Sequence, residues 1–388
     1  MTEASSFQSA NGLVPMLAAY RDRLAFAREA HQSGKKVVGY VGNTVPVELI
    51  LAADCVPVRV APVDGALSDS DRYVESIADR DVRRIFQLYC TGGLDMLDML
   101  VIPRSSEAHH KLYLMLREAI RVGLTNAKPR LWLYEIVHTQ RPSSRSYGVA
   151  RSQEFWSVLA EIGGQKMDLD ALREAVTLKN QQRELLLQLH TKRWNGLVNG
   201  SDAVVATGAL QFMELSAGTL ALEAWIPQAE IRKTPAPLQI LVRGVPLDHD
   251  QLHRNIESLG ANVVAEDDDW GSRSGLCPID PESSDLLAAT FEHYWRDVPC
   301  IRRHPVSDEW FKEAANRPDI HAILFNLPEP EDVYGWSYPL DLAYCRTLGK
   351  PSILVRRGPE NIDASRTEIA DQMAMLDWAR ASKAEHQK

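Results

Sequence analysis

The chain has 388 residues, 45% of them hydrophobic and 24% charged, with a formal net charge of -9. That length exceeds what one hydrophobic core usually fills and predicts two domains. The acidic balance, with no basic run longer than two residues, excludes electrostatic binding to nucleic acid or to an anionic membrane surface and leaves small soluble ligands as the expected partners.

In chain order, the opening MTEASSFQSANG lacks the basic and apolar regions of a signal peptide, and no apolar run approaches the length of a membrane span, so a cytoplasmic location is expected. KKVVGYV (35–41) reads as a buried strand, and PVELILAAD after it as a helix, with Pro46 near its start and Glu48 in its first turn. VPVRVA (56–61), MLVIP (99–103) and RLWLYEI (130–136) read as further strands, with a helix from about Ser106. From Ser152 to His190 the apolar period is helical throughout. The two prolines of RKTPAPLQ (232–239) mark a boundary. LQILVRG, ANVVAED, IHAILFNLP and PSILVRR then supply four more strands, with a helix closing at Gly260 between the first two. The predicted fold is α/β: two flavodoxin-like domains with parallel sheets, residues 1–150 and 235–388, joined by a helical region at 151–234.

Parallel sheets bind ligands at the carboxyl ends of their strands. This directs attention to GNTVP, PRSSEAHHK, EDDDWGSR and NLPEPEDVYGWSYP, none of which carries a Walker lysine loop or a GxGxxG turn. Each has a plain structural reading beside a functional one. The four acids Glu266 to Asp269 read as a solvated loop before a divalent-metal site. Ala108 to Lys111 reads as a solvated helix start before a metal site. Glu48 suits a helix start by charge and position. Asn43 and Thr44 suit capping, or donation to a carbonyl. Arg273 suits a phosphate contact or a salt bridge equally. Trp270, Tyr334, Trp336 and Tyr338 suit packing, or stacking on a ligand. Cys55, Cys90, Cys277, Cys300 and Cys345 form no CxxC pair, which fits neither a zinc ribbon nor a disulfide framework.

GKKVVGYVGNTVPVELILAADCVPVRV resembles the opening of the 2-hydroxyacyl-CoA dehydratase and benzoyl-CoA reductase family, in which a strand enters a PxEL helix and a second strand ends in PVR. GGLDMLDMLVIPRSSEA, EFWSVLAEIGGQKMDLDALREAVTLKNQQRELL, ILVRGVPLDHDQLHRNIESLGANVVAEDDDWGSR and DVYGWSYPLDLAYCRTLGKPSILV are similar to later pieces of that family, in the same order and over nearly the whole chain. The resemblance implies a subunit that binds an acyl-CoA thioester, pairs as a homodimer or with a related subunit, and holds a 4Fe–4S cluster through three cysteines that feed an electron to the thioester carbonyl. At the matching positions this sequence has Ser106, Trp270 and Glu331. Hydroxyl, indole and carboxylate do not substitute for three thiolates, so no cluster and no other cofactor is expected, with the CoA thioester as substrate. Three readings follow. The first is polar acid–base chemistry on an acyl-CoA, with Glu107, His109, Glu331 and Asp332 as catalytic candidates and Asn43, Thr44, Glu48, Ser106, Trp270, Arg273 and Trp336 as binding candidates. The second is a non-catalytic or assisting subunit beside a cluster-bearing partner. The third is a cluster-bearing or metal-bearing chain whose ligands lie at other positions than those aligned above.

Overall fold

A computed structural model describes residues 12–61, 70–75, 80–230, 236, 238–274, 277–303, 309–328, 333–356 and 366–374. Eight strands form two four-stranded sheets. β1 (Lys36–Tyr40), β2 (Cys55–Arg59), β3 (Met99–Pro103) and β4 (Arg130–Tyr134) lie in the order β2-β1-β3-β4. β5 (Leu238–Gly244), β6 (Ala261–Glu266), β7 (Ala322–Asn326) and β8 (Ser352–Val355) lie in the order β6-β5-β7-β8. Every pairing is parallel. The chain is thus an α/β protein of two flavodoxin-like halves. Helices cover both faces, which is why every residue of β3, β5, β6 and β7 is buried: β3 is apolar throughout, and the polar residues of the other three, Arg243 and Glu266 among them, are buried as well. Among the described residues no helix is long and apolar enough to cross a membrane.

The helical run expected from Ser152 to His190 is two helices, Pro142–Gly163 and Leu169–Trp194. Gly164 breaks it at φ 70°, a conformation that suits glycine at a helix end, and the Asp168 side chain accepts from Asp170 N to start the second helix. The second helix lays Leu172, Ala175, Val176 and Leu186 against the interior and carries Arg183 and Arg193 on its buried side.

Segment 279–303 stands between β6 and β7 in the chain but packs on the first sheet. Ile279, Leu286, Phe291, Tyr294 and Trp295 share one core with Val38, Met99, Tyr134 and Phe155. Ion pairs add further ties across the molecule: Arg59 at the end of β2 meets Asp269 at 2.5 Å, and Arg23 meets Asp248 at 2.8 Å.

Candidate functional site

In the order β2-β1-β3-β4 the connections leave β1 and β3 in opposite directions, and a crevice opens between their carboxyl ends. Two predicted loops meet there. Gly42, at φ 68°, brings the loop after β1 so close to the helix after β3 that a side chain on it would stand 2.9 Å from His109 Cε1. Ser105 Oγ is 2.9 Å from His109 Nδ1 and orients the ring. The Ser106 hydroxyl accepts from His109 N at 3.0 Å and so caps the helix Glu107–Arg121. Glu107 is exposed and ion-paired with Arg302. Asn43 is not a cap: its Nδ2 donates to Pro299 O at 2.7 Å, and the N-cap of the helix Val47–Leu51 is Pro46, without a side-chain bond. The Thr44 hydroxyl is buried without a hydrogen-bond partner among the described residues.

Residues 293–303 close over this crevice, beginning with a π-helical turn, His293–Asp297. Such turns recur at functional sites. Tyr294 OH donates to Glu48 Oε2 at 2.8 Å, while Arg183 Nη2 donates to Glu48 Oε1 at 2.5 Å and lies 3.3 Å from His293 Nε2. Burial raises the Glu48 carboxyl, but the Arg183 guanidinium and the hydrogen bonds to the carboxylate together outweigh it and hold the carboxyl below the usual range. Burial, with Arg183 added, pushes His293 down, so the imidazole accepts from the guanidinium in its neutral form. Burial, reinforced by Arg183, also lowers Lys179 to about 8, its ammonium donating to Gln182 Oε1 at 2.5 Å.

Further along the same segment, Cys300 Sγ donates to Ser105 O at 3.4 Å and lies 3.9 and 4.0 Å from Nδ1 and Nε2 of His138. His138 Nε2 is 3.2 Å from Arg104 O, and the neighbouring Val137 O accepts from Trp295 Nε1 at 2.9 Å. Arg183, His293, Tyr294, His138 and Cys300 were all missed in the sequence reading. Arg183 alone leaves a signal there, as a charge among the apolar positions of its helix.

The acidic run after β6 is not solvated, contrary to expectation. Glu266, Asp267 and Asp268 are buried, and each carboxylate has its own partner. Glu266 is gripped by Arg193 and His253. Asp267 is paired with Arg243 and, at 2.8 Å, with Arg273. Asp268 accepts from the backbone N–H groups of Leu247, Trp270 and Gly271. Asp269 meets Arg59. A buried loop of this kind needs cations: Arg59, Arg193 and Arg243 come from other elements and Arg273 from the loop itself. Trp270 is buried with Arg59 4.1 Å and Arg23 5.5 Å from its ring centre. Arg273 also lies over Trp310. Trp336 stands 84% exposed on the helix Val333–Thr347, while Tyr334 is buried on it. Glu331 and Asp332 lie outside the described residues.

Among the described residues no group of three or more His, Cys, Asp or Glu side chains is arranged to hold a metal ion. The five thiols stand in separate places: Cys55 in the core of the first sheet, Cys345 in that of the second, Cys90 against the opposite face of the first, Cys277 exposed and Cys300 by His138. Burial, then nearby carboxylates, pushes Cys55 up to about 12 and Cys345 up to about 11, which disfavours the thiolates that metals bind. This donor set does not fit a cluster held by three cysteines.

Residues 43–367 match the family described as 2-hydroxyglutaryl-CoA dehydratase, D-component. The chain is 19% identical over 358 residues to the (R)-phenyllactyl-CoA dehydratase beta subunit of Clostridium sporogenes, covering 88% of this chain and 92% of that one. It is 24% identical over 151 residues to the (R)-2-hydroxyglutaryl-CoA dehydratase subunit beta of Acidaminococcus fermentans, covering 39% of each.

Proposed function

Because the chain belongs to the 2-hydroxyglutaryl-CoA dehydratase D-component family, we propose that it binds an acyl-CoA thioester at the carboxyl ends of β1 and β3. It acts there by proton transfer, without an iron–sulfur cluster of its own. What supports this reading is the chemistry at the family's cysteine positions: Ser106 is engaged as a helix cap and Trp270 lies buried beside two arginines, while the five thiols stand apart.

Proton-transfer chemistry on a thioester starts at the carbon next to the carbonyl, where the carbanion is delocalised. The hydroxyl lost or gained therefore sits on the β carbon, and the substrates under this reading are 3-hydroxyacyl or 2-enoyl thioesters. His109, oriented by Ser105, takes the proton, which is returned to the departing hydroxide as water forms. Protein prepared without oxygen is to be assayed for iron, sulfide and hydration of crotonyl-CoA. Colourless protein that hydrates the enoyl thioester supports the reading. Stoichiometric iron and sulfide, or turnover confined to 2-hydroxyacyl thioesters with a reductant, overturns it.

One observation favours an assisting role beside a related subunit. Val333, Trp336 and Leu340 recur at helical spacing and are all exposed, an apolar stripe suited to a protein interface. Turnover that appears only when a related subunit is added distinguishes this role from the first.

A further inference from the structure

Cys300 and His138 are 162 residues apart in the chain and meet at the crevice. We propose that Cys300 is a nucleophilic thiol activated by His138, and that it accepts the acyl group of a thioester. The inference takes its substrate from the acyl-CoA reading above.

Three features converge on the sulfur. His138 stands with Nδ1 3.9 Å and Nε2 4.0 Å from Sγ, and with the hydrogen on the Nε2 that faces Arg104 O at 3.2 Å, Nδ1 is the basic nitrogen. In the resting protein the thiol donates to Ser105 O at 3.4 Å instead, and a small shift of the sulfur hands its proton to Nδ1. Ser105 immediately precedes the N-cap of a 15-residue helix, so the sulfur lies one residue from a helix start, where the field favours negative charge once the thiol turns from the Ser105 carbonyl. Arg302, two residues on and paired with Glu107 in the first turn of that helix, ties the segment bearing Cys300 to it. Together these make a nucleophile, a base and an orienting group, at the end of the sheet where ligands bind.

The step balances without an electron donor or acceptor. Sγ bonds to the thioester carbonyl carbon as its proton passes to His138. The bond from that carbon to the CoA sulfur breaks, and the departing CoA thiolate takes the proton from His138. One thioester replaces another.

The test uses the full reduced chain and two probes, iodoacetamide and acetyl-CoA. In the wild type, Cys300 is expected to be alkylated ahead of the exposed Cys277, a comparison that depends on no variant folding. His138→Gln is expected to slow alkylation of Cys300 by about 10²-fold and to move its pH profile upward, leaving Cys277 unchanged. Acetyl-CoA is expected to add one acetyl group, mapped to Cys300, with one CoA released, and Cys300→Ser is expected to abolish both. Slower alkylation of Cys300 than of Cys277, or indifference to His138→Gln, overturns the pairing. Acetyl-CoA bound by calorimetry with Cys300 unmodified overturns the acyl transfer. If no thioester binds, it is the acyl-CoA reading that falls, and with it the transfer, while the alkylation comparison decides the pairing.

Discussion

Arg193 spans both carboxylate oxygens of Glu266 where neither side chain touches solvent: each is 0% exposed, and Nη1 stands 2.8 Å from Oε2. His253 adds a third contact, Nε2 to Oε1 at 2.5 Å. Removing one partner of such a pair leaves an uncompensated buried charge, whereas removing both leaves an apolar space. Arg193→Met is therefore expected to lower stability by about 3 to 5 kcal/mol, and the double change Arg193→Met with Glu266→Leu to recover much of that loss, both read from urea denaturation.

The same pair sets an acid limit. Burial alone raises the Glu266 carboxyl, but Arg193 and His253 together outweigh it and hold it well below the usual carboxylate range. A carboxyl depressed in the folded state contributes stability that is fully present above its unfolded value and is lost as pH falls below it. Glu48, depressed by Arg183, acts in the same direction. The urea midpoint is expected to fall below about pH 4.5, and to fall less steeply in Glu266→Gln. An equal slope in the variant would remove Glu266 from the account.

Lys179 gives the opposite arm. Its folded value of about 8 lies below the free value of 10.5, so between them the unfolded chain binds more protons and stability rises with pH. Buried tyrosines such as Tyr40, raised to about 12, retain protons that the unfolded chain loses near pH 10, and so reverse the trend above it. The midpoint is thus expected to climb between pH 8 and 10, and Lys179→Met to flatten the climb; a climb unchanged by that substitution would assign it to another group.

Much of the fold was legible because buried parallel strands leave a local trace. MLVIP is apolar at every position and is β3 throughout. Glu266 to Asp269 misled for the converse reason. Their acidity is local, while the arginines that neutralise it come from 73 residues away for Glu266 and 210 for Asp269. The site was half legible: Ser105, Ser106 and His109 follow β3 directly, whereas Cys300 and His138 become neighbours only because segment 279–303 returns to the first sheet. No periodicity or spacing encodes that return.

Gly42 is where the crevice depends most directly on one absent atom. Its φ of 68° costs a residue with a side chain about 1 to 2 kcal/mol. The added Cβ would also stand 2.9 Å from Cε1 and 3.4 Å from Nδ1 of His109. The imidazole is the flexible partner and turns aside, breaking the 2.9 Å contact between Nδ1 and Ser105 Oγ. Gly42→Ala is therefore expected to cost about 1 to 2 kcal/mol of stability, and to shift the His109 imidazole resonances while leaving those of His190 and His253, both buried elsewhere, unmoved. If the His109 signals stay in place and only stability changes, the glycine serves the backbone alone. If stability is unchanged as well, the close approach of the two loops is not a property of the protein in solution.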